Sequence, residues 1–160
     1  MVLWFVGVGF LAVVLVFKSP ALDYRVVIGG LLLPLVDVVP GVPPVLHTLA
    51  GAVLLLAATM LASRGRRLCR RRWLGLPIGV FVHLVLDGTW TDTELFWWPA
   101  FGLDLPDVDL PTFGSGAAGL VLEALGAAAI WWSWRQFRLD DPVRRQMFLR
   151  EGRLDRDLVP

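Results

Sequence analysis

His83 and Asp87 are the residues whose types and spacing most clearly suggest chemistry, because they lie four residues apart in the otherwise apolar stretch 81–90. On an α-helix this spacing stacks the two side chains on one face, one turn apart. An imidazole nitrogen and a carboxylate oxygen are both good ligands for zinc or manganese. A buried histidine satisfied by its own i+4 aspartate is the alternative interpretation. Since an ionisable residue inside a membrane segment is costly and a functional candidate by default, we interpret the pair as half of a metal site.

The composition predicts an integral membrane protein with one domain. Hydrophobic residues make up 56% of the 160 residues, and eight tryptophans stand against one tyrosine. The mean hydropathy is +0.66, and a soluble domain of this size would expose too much apolar surface to water. Cys69 is the only cysteine, which excludes an intramolecular disulfide and a structural cysteine-based metal site.

The apolar runs predict an all-α, polytopic membrane helical bundle with about five transmembrane helices. The first run, Val2–Phe17, has no basic segment before it and no cleavage site after it, so we expect a retained helix. The second is broken by Gly29, Gly30 and Pro34. The expected spans are 2–17, 26–39, about 43–62, 73–90 and about 114–134. We expect residues 1–137 to form the transmembrane domain and residues 138–160 a cytoplasmic basic tail.

Clustered arginines predict the orientation, although the net charge is only +1. Six arginines fall within residues 63–72, and a second basic segment follows Arg135. The positive-inside rule places both in the cytoplasm of a plasma (inner) membrane protein, with the N-terminus outside and the C-terminus inside. A basic run can also bind nucleic acid. Between two spans a cytoplasmic loop is the better interpretation, so we expect no nucleic acid partner, and a protein partner of this loop is the alternative.

This orientation brings four potential metal ligands to the same depth. Asp37 falls near the outer end of the second helix, and His47 near the outer start of the third. His83 and Asp87 fall in the last outer turns of the fourth. Two imidazoles and two carboxylates suffice to hold one divalent ion, zinc or manganese, with a position left for water.

Further polar residues could support this site. We expect Thr48 and Thr89 to hydrogen-bond helix backbone or a ligand. Glu94 is a candidate general acid, a carboxylate that supports the ligands from outside, or an exposed loop acid, and Asp104, Asp107 and Asp109 are expected to be solvated. Glu123 lies inside the fifth helix, where it joins the site, binds a histidine or stays protonated.

Residues 29–99 resemble the inner-membrane metal-dependent hydrolases known as LexA-binding, membrane-bound hydrolases. The resemblance is carried by Leu33-Pro34-Leu35-Val36-Asp37, Leu46-His47-Thr48, Val82-His83-Leu84-Val85-Leu86-Asp87-Gly88-Thr89 and Phe96-Trp97-Trp98-Pro99. Leu35 stands where the family has its first aspartate, and Val42 stands near an upstream histidine position. The resemblance therefore implies a metal-dependent hydrolase with one ion in place of two, or a degenerate member without activity.

The leading hypothesis is a hydrolase in which one ion is held by Asp37, His47, His83 and Asp87. Asp37, on its proline-flanked segment, is the expected general base. Because the site would lie at the outer headgroup level, a lipid ester or lipid phosphate is the expected substrate. The alternatives are a non-catalytic membrane scaffold and a proton-relay transporter that uses the same aspartates and histidines.

Overall fold

A computed structural model of the chain describes residues 1–19, 22–105 and 116–155. In these residues every regular element is a helix, which confirms the predicted all-α class. The α-helices are α1 (Val2–Phe17), α2 (Tyr24–Leu32), α3 (Leu49–Ala62), α4 (Arg67–Trp73), α5 (Gly75–Asp87), α6 (Thr93–Phe96), α7 (Ala117–Gln136) and α8 (Pro142–Glu151). Within the same residues, 3-10 helices cover Leu33–Val38, Val45–His47 and Thr89–Thr91.

Helix length bears on the predicted membrane spans. Within the described residues, α7 is the one helix both long and apolar enough to cross a membrane; its 20 residues extend about 30 Å. α1, with 16 residues, and α3, with 14, are apolar but shorter. By length and composition one helix could therefore span a membrane, and the multi-pass topology stays a prediction.

The chain leaves α-helical geometry near Pro34. α2 ends at Leu32, and residues Leu33–Val38 continue as a 3-10 helix with the proline in its first turn. In the i→i−3 pattern of a 3-10 helix, the Leu31 carbonyl would accept a hydrogen bond from the N–H of residue 34. Proline has no N–H. The Leu31 carbonyl is therefore left to accept a hydrogen bond from a side chain.

Two predicted helices begin or end differently in the structure. His47 ends a 3-10 turn instead of lying in the third helix, and Thr48 is the N-cap of α3. The Thr48 hydroxyl accepts a hydrogen bond from the Gly51 N–H at 2.9 Å, which fixes the start of the helix. The predicted fourth helix, residues 73–90, is observed mainly as α5, with Trp73 at the end of α4 and the last two residues in the 3-10 helix Thr89–Thr91. α5 ends at Asp87 because Gly88 adopts the left-handed conformation, with φ 72°.

α2 and α5 lie side by side and run in the same direction. Gly75, at the start of α5, packs against Asp23 before α2, and His83 near the end of α5 reaches Leu31 near the end of α2. The ring of Phe5 in α1 stacks on His83, with 3.8 Å between ring centroids. The three helices thus enclose the imidazole of His83, which is 1% exposed.

Glycines allow these helices to approach closely. A Cβ at Gly30 would meet the backbone of α5, and a Cβ at Gly79 would meet the backbone of α2. α1 and α7 meet in the same way at Gly7 and Gly126. Small residues at helix contacts are typical of packing in lipid, where van der Waals contact replaces the hydrophobic effect as the driving force.

The main apolar core lies between α1, α2, the end of α7 and the C-terminal segment. Phe10 is at its centre, in edge contact with Tyr24, Phe137 and Phe148. Leu154 is also buried in this cluster. α8, which belongs to the predicted basic tail, therefore packs against the bundle through Phe148. Residues 156–160 of that tail lie outside the described residues.

The glycine contact between α2 and α5 can be tested with two neighbouring substitutions. We expect Gly30→Ala to destabilise the protein by about 1–3 kcal/mol, because the new methyl group must push two backbones apart. For a chain of this size that corresponds to a fall of several degrees in thermal midpoint, measured by circular dichroism in detergent. Gly29→Ala is the matched control, since a Cβ at Gly29 meets nothing within 4 Å. Equal melting temperatures for the two variants would contradict the close contact.

Candidate functional site

His83 is held in one orientation by the backbone of α2. Its Nδ1 lies 2.7 Å from the carbonyl oxygen of Leu31, which stands three residues before Pro34. Because a carbonyl oxygen only accepts, Nδ1 must carry the proton. The neutral ring then presents a lone pair at Nε2.

His47 is oriented in the same way by a carboxylate. Asp37 Oδ2 lies 3.1 Å from His47 Nδ1 and also accepts a hydrogen bond from the Leu46 N–H at 2.7 Å. His47 is 0% exposed and Asp37 is 8% exposed. The 3-10 helix that follows α2 carries Asp37 to the turn before α3, and the carboxylate fixes the proton on Nδ1 of His47. The lone pair of this ring is again at Nε2.

The two imidazoles lie against each other inside the bundle. Their ring centroids are 5.4 Å apart, and the rings are nearly perpendicular, at 80°. The Nε2 atoms of His47 and His83 are both buried and have no hydrogen-bond partner in the described residues. Leaving a buried acceptor unsatisfied is costly, so these two atoms on neighbouring rings are the candidate ligand-binding atoms of the described residues.

Asp87 lies one turn beyond His83 on α5, as the spacing predicts, and is fully buried. Its Oδ2 accepts a hydrogen bond from the Thr89 hydroxyl at 3.0 Å. His47 lies against His83, and Asp37 is hydrogen-bonded to His47, so these three residues are neighbours. Thr89 is likewise buried and holds the Asp87 carboxylate in place.

Each of the two histidines has the kind of partner that orients a metal-binding imidazole. Histidines that bind metals donate their other ring N–H to a carboxylate or a backbone carbonyl, and both partners are present here. However, no three histidine, cysteine or acidic side chains of the described residues form a group that could hold a metal ion as they stand. The structure therefore brings Asp37, His47 and His83 together, with Asp87 one turn beyond His83, and the predicted coordination by all four stays a prediction.

The remaining predicted residues have other surroundings. Thr48 donates a hydrogen bond to the Val45 carbonyl at 2.8 Å while it caps α3. Glu94 is exposed in the first turn of α6, as is Asp104 in the loop that follows. Asp107 and Asp109 lie outside the described residues.

Glu123 contacts the N-terminus of α1, which was not among the predicted roles. Its Oε2 accepts hydrogen bonds from the backbone N–H groups of Leu3 and Trp4, at 2.8 and 3.3 Å. These N–H groups have no partner within their own helix, since they belong to its first turn. The carboxylate is therefore satisfied by a helix end, and the contacts of Glu123 in the described residues do not include a histidine ring.

Two parts of the site could not be inferred from residue types alone. The stacking of Phe5 on His83 depends on how α1 crosses α5. The hydrogen bond between His83 and the Leu31 carbonyl involves a backbone group, so residue types do not predict it. Pro34, three residues after Leu31, was the available signal for an irregular backbone there.

No family model, curated protein or solved structure matches the chain. The function is therefore argued from the residues and their geometry.

The tautomers of His47 and His83 can be tested by nuclear magnetic resonance. In tag-free, metal-free protein labelled with ¹⁵N-histidine at pH 8, we expect both rings to carry the proton on Nδ1, because each Nδ1 faces an oxygen acceptor. Two-bond ¹H–¹⁵N correlation spectra report the tautomer. Asp37→Leu removes the acceptor of His47 alone, so His83 serves as the internal control. Protons on both Nε2 atoms of the unaltered chain would contradict the geometry.

Proposed function

We propose that this chain is a multi-pass membrane hydrolase that uses one divalent metal ion and acts on a lipid ester or lipid phosphate at the outer leaflet. The observation that carries the proposal is the pair of buried Nε2 atoms on His47 and His83, each presented by an oxygen acceptor at the opposite ring nitrogen. The resemblance of residues 29–99 to membrane-bound metal-dependent hydrolases points to the same chemistry.

The residues of the chain have separate roles in this proposal. The Leu31 carbonyl and Asp37 keep Nδ1 protonated on His83 and His47, so that both Nε2 lone pairs remain available. Asp87, held by the Thr89 hydroxyl, would be the third ligand of the ion. A divalent ion, zinc or manganese, supplies Lewis acidity when bound: it polarises the scissile bond and acidifies water. Asp37 would have to break two hydrogen bonds to act as the general base, so its contacts favour a positioning role.

Exposed apolar surface supports immersion of the bundle in lipid. Leu61 on α3 is 69% exposed and Leu120 on α7 is 75% exposed, with Leu54 and Val121 also exposed on the same helices. Soluble monomers rarely expose contiguous apolar patches of this kind. Short helices such as α1 and α3 can be accommodated by local thinning of the bilayer.

The directions of the helices support five crossings. α2 and α5 run the same way, as a second and a fourth crossing must, and α3 begins beside the end of α5, where His47 meets His83. The arginine-rich helix α4 precedes α5 at the opposite end of the bundle. The positive-inside rule then places α4 and the C-terminus in the cytoplasm, the N-terminus outside, and the two histidines on the outer side.

A groove beside the histidines suits a lipid acyl chain. It has a volume of about 470 Å³ and is lined by twelve side chains of α1, α3 and α5, all apolar. Leu49 and Val82 line it close to His47 and His83 in sequence, and Phe17 and Pro77 line it farther toward the basic end. The groove thus extends from the depth of the histidines toward the middle of the membrane. A lipid with its headgroup at the histidines would place one acyl chain there, and ligand pockets are of similar volume.

Metal analysis tests the ion. We expect tag-free protein purified in detergent to hold about one zinc or manganese ion per chain, and His47→Ala or His83→Ala to hold at most about one-tenth of that, because each removes one of two imidazoles. Glu94→Gln, which alters an exposed carboxylate, is the control and should retain the ion. The same preparations are assayed for hydrolysis of lipid phosphates and glycerolipids. A metal-free chain with no hydrolysis would favour the scaffold or proton-relay alternative.

The groove predicts a dependence on the length of the substrate's acyl chain. Val53→Trp should fill the groove and lower kcat/KM for a long-chain lipid by about tenfold or more, since it removes apolar contact area available to the chain. A short, water-soluble ester or phosphate should be hydrolysed at the unaltered rate. Leu54→Trp is the matched control, because Leu54 is the next residue on α3, is exposed and does not line the groove. Equal losses for both variants would argue against acyl-chain binding there.

A further inference from the structure

A second cavity, of about 360 Å³, lies at the end of the bundle opposite the two histidines. Its wall is formed by the start of α2, by α4 and by the end of α8, and it carries five arginine side chains and two carboxylates. We call it the arginine pocket. None of its residues takes part in the proposed hydrolase site, and the role proposed for it rests on the proposed membrane placement but not on the hydrolase activity.

Arg25 and Arg72, two of the five arginines, are held in the wall of the pocket by Asp23. Asp23 is 5% exposed, and its carboxylate accepts hydrogen bonds from Arg25 Nε and Nη2, at 3.1 and 3.0 Å, and lies 3.0 Å from Arg72 Nε. Burial alone would raise the pKa of Asp23, but the hydrogen bonds and charges of Arg25 and Arg72 outweigh it and lower the pKa. The carboxylate is therefore ionised at neutral pH, and it joins α2 to α4.

The end of α8 is fixed to the same group. Arg25 Nη1 donates a hydrogen bond to the Leu149 carbonyl at 2.7 Å. The Tyr24 N–H donates to the Gly152 carbonyl at 2.8 Å, and a Cβ at Gly152 would overlap the Asp23 carboxylate. The pocket is thus held in shape by contacts of the chain itself.

Two other arginines have no counter-charge. Arg153 lies 3.5 Å from Glu151, in an ion pair at the exposed rim. Arg71 on α4 and Arg150 on α8 both line the pocket and have neither an ion pair nor a side-chain hydrogen bond in the described residues. Two guanidinium groups without an ion pair in one pocket favour the binding of an anion, and a guanidinium can bind phosphate oxygens through two parallel hydrogen bonds.

We propose that the arginine pocket binds a phosphate group, supplied by the headgroup of an anionic membrane lipid. The location supports this source, because Leu68 and Trp73 are exposed apolar side chains on the same helix, α4, at 80% and 47% exposure. Tryptophan beside arginine is typical of the membrane interface. Basic pockets at the cytoplasmic ends of membrane helices bind anionic headgroups through the same combination of charge and adjacent apolar surface.

The test measures binding of three probes to the full chain in neutral detergent by isothermal titration calorimetry. The probes are a short-chain phosphatidylglycerol, the matching phosphatidylcholine and inorganic phosphate. We expect phosphatidylglycerol to bind most tightly, and Arg71→Gln with Arg150→Gln to weaken it roughly tenfold or more. Arg67→Gln with Arg145→Gln is the charge-matched control, because both residues lie on α4 and α8 outside the pocket and should change the affinity less than twofold.

Other outcomes would overturn the proposal. Equal losses in the pocket and control variants would mean that net charge alone attracts the lipid. Inorganic phosphate that binds as tightly as phosphatidylglycerol, with the same dependence on Arg71 and Arg150, would overturn the lipid as source. If the double variant does not fold, as judged by its circular dichroism, it is replaced by the single variants Arg71→Gln and Arg150→Gln, which change exposed residues. Unchanged phosphatidylglycerol binding in both single variants would count against the pocket.

Discussion

The hydrogen bond between His83 and the Leu31 carbonyl depends on how closely α2 and α5 approach. Helices packed through larger side chains usually have axes about 8–10 Å apart, which would leave the imidazole of His83 a longer way from the backbone of α2. Gly30 and Gly79 remove the side chains from the crossing, and the ring reaches the carbonyl at 2.7 Å. The orientation of His83 is thus set by a hydrogen bond to a backbone carbonyl and not by a polar side chain.

Pro34 contributes to both histidine orientations. It removes the N–H that the 3-10 pattern would direct to the Leu31 carbonyl, and that carbonyl then accepts from His83. The same 3-10 segment carries Asp37 to His47. A continuous α-helix through this segment would satisfy the Leu31 carbonyl internally. The interruption is therefore part of how the site is formed, as in membrane proteins whose broken helices line binding sites.

Sequence patterns predicted more of the helices than of the contacts. The interruption at Pro34 and the shared face of His83 and Asp87 follow from local chemistry, and both are present. The contact of Asp37 with His47 was missed as a pairing, because it depends on the path of residues 38–46 between them. The packing of α8 was also not evident, since Phe148, which contacts Phe10, lies within a charged sequence.

Free backbone groups at helix ends satisfy several polar side chains of this bundle. Glu123 accepts from the first turn of α1, and Asp23 from the first turn of α2. Thr48 serves the start of α3 in the same way. Each helix end would otherwise leave N–H groups unpaired, which is especially costly in lipid. The Nε2 atoms of the two histidines depart from this pattern, since no group of the described residues forms a hydrogen bond with them. A buried acceptor without a partner is costly, and this departure is the physical reason for the proposal of a ligand at that position.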